Sequence, residues 1–213
     1  MQIRDLGIID FASTLAMQEA AINDLCGGRK GEMLLLLEHP PVYTIGRGGS
    51  EANILDLSIE PVRINRGGDV TYHGPGQLIG YPLINLGWRG RDLHRYLRLL
   101  EELLIRTAAV FGVNAYRVRN RTGVWTEKGK LASIGVGVRR WITMHGFAIN
   151  VSTDLDAFSV INPCGIKACP VTSLEDLCGF SVPMDEVKRV INERFGPMLE
   201  EWLPMSAPDE KYS

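Results

Sequence analysis

The chain has 213 residues, 45% of them apolar and 23% charged, with a formal net charge of −2. That length supports one generous core, and the near-neutral balance supplies no basic face for phosphates, so nucleic acid is not expected as a partner. The longest aliphatic run, Met33 to Leu37, is far too short to cross a bilayer.

Near the start, Met-Gln-Ile-Arg-Asp-Leu places acid and base where an export signal would need an apolar region, so no export and a cytoplasmic location are expected. Gln2 to Ile9 alternates like a half-buried strand. Asp10 then caps a helix from Phe11 to about Cys26, which Gly27-Gly28 ends. Met33 to Glu38 suits a buried strand, and His39-Pro40-Pro41 turns the chain into a second one, Val42 to Ile45. Strands are expected at Pro61 to Asn65 and Leu78 to Leu86. From Asp92 to Phe111 the apolar positions recur at three and four, a helix stopped by Gly112. Val113 to Arg117, Gly123 to Thr126, Lys130 to Val138 and Ile142 to Val151 read as consecutive strands, which points to a mixed or antiparallel sheet. A last helix runs from about Met184 to Trp202, opened by Pro183 and open to interruption at Gly196-Pro197. One domain over residues 1–205 is expected, followed by a disordered tail over 206–213.

Between two of these strands, Arg66 to Gln77 packs four glycines, a proline, a histidine and a tyrosine into twelve residues. Glycine admits positive φ and close approach to the main chain, so the stretch reads as a ligand loop or as a hairpin turn with its bulge.

Cys164 lies in Asn162-Pro163-Cys164-Gly165, an irregular turn that suits an accessible thiol better than a core-filling one. A free thiol is only a few per cent thiolate at neutral pH, so a nucleophilic cysteine needs a neighbour to take its proton. His73 and His145 are candidates, and so is Lys130, which heads an apolar, glycine-bearing strand. Desolvation there would favour a neutral amine that accepts a proton, or an ion pair beside a thiolate. Taken singly, each has a plainer reading, since turn cysteines are mostly inert, strand-end lysines solvated and histidines structural. Cys26 and Cys178 fall on helical patterns and read as core, whereas Cys169 beside Pro170 could be a second exposed thiol. His39 and His94 carry no signal. The cysteine spacing shows neither a disulfide framework nor a zinc motif.

Taken together, five ordered motifs resemble the lipoyl(octanoyl) transferases over nearly the whole chain. They are Glu38-His39-Pro40-Pro41-Val42-Tyr43-Thr44, the Arg66 to Gln77 stretch, Gly129-Lys130-Leu131-Ala132-Ser133-Ile134-Gly135, His145-Gly146-Phe147-Ala148-Ile149-Asn150, and Asn162 to Gly165 through Val171-Thr172-Ser173-Leu174. The resemblance implies an α/β fold of the biotin/lipoate protein ligase type, a mixed sheet around an acyl tunnel. It implies transfer of an octanoyl group from octanoyl-acyl carrier protein to a lysine of lipoyl domains, in 2-oxoacid dehydrogenase E2 subunits and the glycine cleavage H protein. Cys164 matches the acyl-thioester nucleophile and Lys130 its activating partner. Arg66, Gly67, Gly68, Asp69, Val70, Thr71, Tyr72 and His73 match substrate-lining positions, as do Ser133, Ile134 and Gly135, and Gly146, Phe147 and Ala148. Because the thioester brings its own energy, neither ATP nor a metal is implied. The alternative on the same scaffold is an ATP-dependent lipoate or biotin ligase, which has no use for a nucleophilic thiol; a non-enzymatic acyl carrier is a third reading.

Overall fold

A computed structural model describes residues 1–205, so the tail expected over 206–213 lies outside the described residues. The strands are β1 (Gln2–Ile8), β2 (Met33–Glu38), β3 (Val42–Ile45), β4 (Val62–Arg63), β5 (Val70–His73), β6 (Gln77–Leu83), β7 (Tyr116–Val118), β8 (Arg121–Thr126), β9 (Gly129–Arg139) and β10 (Ile142–Asn150). The helices are α1 (Phe11–Cys26), α2 (Leu93–Val110), α3 (Leu174–Cys178) and α4 (Met184–Trp202). Seven strands form one sheet in the order β1-β2-β6-β10-β9-β8-β7, and β4-β3-β5 form a smaller one. In the large sheet only β1 and β2 run parallel, so the sheet is mixed, as the run of consecutive strands suggests.

Strand β2 shows why the apolar run is continuous rather than alternating. Leu34 and Leu36 pack with Leu99, Leu100, Leu103 and Leu104 of α2 and with α4, whereas Met33, Leu35 and Leu37 meet Ala21, Ile22 and Leu25 of α1 on the other face. A strand covered on both sides needs apolar residues at every position. Truncating one of these leucines to alanine costs about 2–5 kcal/mol. The helices start where the sequence places them: Asp10 accepts from Ser13 N at 2.8 Å and Asp92 from Arg95 N at 2.8 Å.

Four expectations need correction, one being the strand at Val113 to Arg117, which lies instead at Tyr116–Val118. The glycine-rich stretch is not all loop, because Val70–His73 is a buried strand paired antiparallel with β3. The strand at Pro61 to Asn65 shrinks to two residues. Helix α4 runs unbroken through Pro197, with Phe195, Met198 and Leu199 buried on either side of it, so packing of the apolar face outweighs the lost donor.

Candidate active site

Cys164 sits in a single tight turn over Pro163–Gly165 and adopts φ 58°, ψ 24°, a left-handed conformation that a non-glycine residue holds only under constraint. The constraint comes from below. Asn162 N donates to Asn53 O at 2.7 Å, and Asn53 Nδ2 donates to Asp69 Oδ2 at 2.7 Å, so Asp69 anchors the turn that presents the thiol. Lys130 is 3% exposed, and its Nζ lies 2.8 Å from Cys164 Sγ. Its backbone is held by the segment that follows the turn: Lys130 N donates to Pro170 O at 2.8 Å and Thr172 N to Lys130 O at 3.1 Å. The β9–β10 hairpin is present, yet it is this parallel pairing with Val171 that brings lysine and cysteine together. The lysine tip rests on the Trp125 ring, 5.4 Å from its centroid, in space left by Gly123 at φ +121°.

Behind the thiol lies an inner pocket lined by Phe11, Ile64, Arg66, Gly68, Thr71, His73, Tyr81, Ser133, Ile134, Gly135, His145, Gly146, Phe147 and Ala148 as well as Cys164. In front lies a cleft of about 510 Å³ that shares Gly68, Ile134, Gly135 and Cys164 with it. The sulfur therefore stands at the junction of two cavities. The buried polar groups around the inner pocket are kept uncharged or internally bonded. His39 Nδ1 donates to Ile9 O at 2.7 Å, which leaves Nε2 to accept from the Tyr81 hydroxyl at 2.9 Å. Gln77 Nε2 donates to Asn150 Oδ1 and Tyr72 O, so Gln77 Oε1 accepts from His73 Nδ1 at 2.7 Å. Asn150 continues this chain to Thr172 O at 3.0 Å, beside Lys130.

Burial pushes the His73 imidazolium down to about 3, against the opposing hydrogen bond to Gln77, and burial with the nearby Arg66 charge pushes His145 down to about 4. Burial also lowers His39 and raises the Tyr81 phenol. At neutral pH the rings of Phe11, His39, His73, Tyr81 and His145, whose neighbouring centroids lie 5.4–6.4 Å apart, form a neutral aromatic cluster; all but His39, which packs behind them, line the pocket. Arg66 is the buried cation there; burial lowers its guanidinium pKa, and it donates to Thr44 O, Thr44 Oγ1 and Gly67 O. Among the described residues no cluster of three or more His, Cys, Asp or Glu side chains is placed to hold a metal ion.

A family model, the lipoyl protein ligase A/B catalytic domain, matches residues 10–196. An octanoyltransferase of Geobacter metallireducens is 62% identical over 204 residues, covering 96% of each chain, and one of Pelobacter propionicus is 61% identical over 96% of this chain and 98% of its own. The chain belongs to the octanoyltransferase family. As a member of that family it is an acyltransferase. The fold is shared more widely: a lipoate-protein ligase A bound with ATP superposes with TM-score 0.76 at 20% identity, over 93% of this chain and 85% of the other. A biotin protein ligase from Aquifex aeolicus, in complex with biotin and ATP, superposes with TM-score 0.58 at 13% identity, over 95% and 72%.

Within this octanoyltransferase-family chain the matched segments do not contribute uniformly. Arg66, Gly68, Thr71 and His73 line the inner pocket together with Ser133, Ile134, Gly135, Gly146, Phe147 and Ala148, whereas Gly67 lines the outer cleft. Asp69, Val70 and Tyr72 line neither: Asp69 holds the cysteine turn, and Val70 and Tyr72 belong to the core of the small sheet. The alternation of β5 explains the split, since Thr71 and His73 face one way and Val70 and Tyr72 the other. Sequence reasoning missed Phe11, Ile64, Tyr81 and the role of His39. It also misplaced thiols: Cys26 is exposed, and Cys169 is buried, with burial raising its pKa. Cys178 packs against the main core, as its helical setting suggests.

Proposed function

We propose that the protein transfers an octanoyl group from the phosphopantetheine thioester of acyl carrier protein to the lysine side chain of a lipoyl domain, by way of a thioester on Cys164. The observation that carries this reading is the 2.8 Å contact between Lys130 Nζ and Cys164 Sγ where the inner pocket meets the outer cleft. Lys130 takes the thiol proton, the sulfur attacks the carbonyl carbon, and the bond to the donor sulfur breaks. The donor arm leaves as a thiol, taking from Lys130 the proton that came from Cys164. The acceptor amine then attacks the same carbonyl, the amide bond forms, and the Cys164 sulfur leaves and regains a proton through Lys130.

A thioester exchanged for a thioester and then for the more stable amide runs downhill, so neither ATP nor a metal enters the balance. The neutral aromatic lining of the inner pocket suits an apolar chain, with the histidines uncharged at neutral pH. Acceptors on this reading are the lipoyl domains of 2-oxoacid dehydrogenase E2 subunits and the glycine cleavage H protein, and the compartment is the cytoplasm. Intact mass after mixing with octanoyl-acyl carrier protein, without ATP, should show one octanoyl adduct that hydroxylamine removes and that Cys164→Ala abolishes. An adduct formed only with ATP, as a ligase would give, or mapped to Cys26, Cys169 or Cys178, overturns the assignment.

A further inference from the structure

The outer cleft carries groups that do not line the inner pocket, where the proposed reaction seats the acyl chain. Trp125 lines it and is 5% exposed, and its indole N–H finds no acceptor among the described residues. A buried donor left without a partner is costly unless a ligand supplies one. Arg121 lines the same cleft, is exposed, and pairs with no carboxylate among the described residues; its guanidinium stacks over Trp125, 5.6 Å from the ring centroid. Leu93 and Leu97 of α2 complete an amphipathic lining.

Lys130 Nζ lies 5.4 Å from that ring and 2.8 Å from the Cys164 sulfur. The Arg121 guanidinium therefore stands within about 14 Å of the sulfur, while the thirteen bonds from sulfur to phosphorus in a phosphopantetheine arm extend about 15 Å.

We infer that this cleft is the binding site for the pantetheine arm of the donor, with the Trp125 N–H donating to an amide carbonyl of the arm and Arg121 meeting its terminal phosphate. The inference rests on the reading of Cys164 as acyl acceptor. Leu93 and Leu97 pack against the apolar dimethyl segment between the amides and the phosphate. Arginine offers the planar, permanently charged fork that phosphate oxygens accept from. The arm is common to acyl carrier protein and coenzyme A, and the cleft recognises what they share. Because the acceptor lysine must reach the same sulfur, the freed arm departs before the acceptor enters.

The test measures the second-order rate of Cys164 acylation by intact mass, using octanoyl thioesters of ethanethiol, pantetheine, phosphopantetheine, coenzyme A and acyl carrier protein. In the wild-type protein the rate should rise from ethanethiol to pantetheine and again to phosphopantetheine. Trp125→Phe keeps the ring under Lys130 and removes the donor, and should lower the pantetheine-to-ethanethiol ratio about fivefold. Arg121→Gln should lower the phosphopantetheine-to-pantetheine ratio about tenfold, with coenzyme A and carrier-protein donors falling alongside. Ratios that neither variant moves would overturn the inference. A loss in Arg121→Gln confined to the carrier-protein donor would overturn it too, by assigning Arg121 to the carrier's surface. Acylation by none of the five thioesters would overturn the reading of Cys164 as well, whereas acylation without arm preference overturns only the cleft.

Discussion

Replacing Gly123 by alanine tests whether the lysine must be held where it is. A Cβ at that position would stand 2.9 Å from Lys130 Cε, 3.4 Å from Nζ and 2.5 Å from Ala132 O, on backbone at φ +121°. The carbonyl belongs to the adjoining strand β9 and moves little, so the lysine tip and the β8 backbone have to give way. Left-handed strain of about 1–3 kcal/mol and overpacking of similar size together suggest a stability loss of about 4 kcal/mol, or a Tm lower by about 8–16 °C. A displacement of about 1 Å in a 2.8 Å contact costs on the order of 100-fold in a step that depends on it. We expect Gly123→Ala, assayed well below its Tm and verified as folded by circular dichroism, to form the octanoyl adduct about 100-fold more slowly than wild type. Its adduct should still map to Cys164. Wild-type acylation rates in a protein that shows the expected drop in Tm would refute the idea that this glycine seats Lys130 against Cys164.

Lys130→Arg keeps a positive charge beside the sulfur but cannot serve as a base at neutral pH. Transfer to an acceptor domain should therefore fall by about 100-fold or more while alkylation of Cys164 by iodoacetamide falls much less; equal losses in both would remove the base from the mechanism. Gly68 lines both cavities at φ +89°, so Gly68→Val should weaken octanoyl binding, read by calorimetry, by about tenfold or more, whereas Gly67, whose Cβ would meet nothing nearer than Val136 O at 3.7 Å, should tolerate alanine. Unchanged affinity in folded Gly68→Val would leave the loop without a part in acyl binding. His73 and His145 titrate at about 3 and 4 in the folded chain, below an unfolded value of about 6.5, so the unfolded chain takes up their protons first. Their contribution is present above pH 6.5 and is lost as the pH falls toward 4, amounting for the pair to about 4 kcal/mol between pH 7 and pH 5. Urea midpoints of wild type and of His73→Gln/His145→Gln over that range should diverge accordingly, and parallel pH curves would contradict the assigned burial.

Features that depend on local pattern were legible before any tertiary contact was known. The spacing of Leu100, Leu103 and Leu104 and the Asp92 cap define α2, the unbroken Met33–Leu37 run defines a strand covered on both faces, and the order of five motifs identifies the family. Cys164 was legible because a cysteine between proline and glycine is out of place in a core, and Lys130 because it heads an apolar strand. The residues that sequence reasoning missed answer to distant partners instead. His39 looks like an unremarkable residue before two prolines, and comes to support the aromatic lining only through Ile9 and Tyr81, 30 and 42 positions away. Reading Arg66 to Gln77 as loop hid the period of two that sends His73 to the pocket and Tyr72 to another core. The lysine–thiol contact itself was decided by the Pro170–Thr172 segment lying parallel to the start of β9, by the Trp125 ring, and by the missing side chain of Gly123. Proton transfer depends on separations of a few tenths of an ångström, and only the packing of the Pro170–Thr172 segment against β8 and β9 sets those.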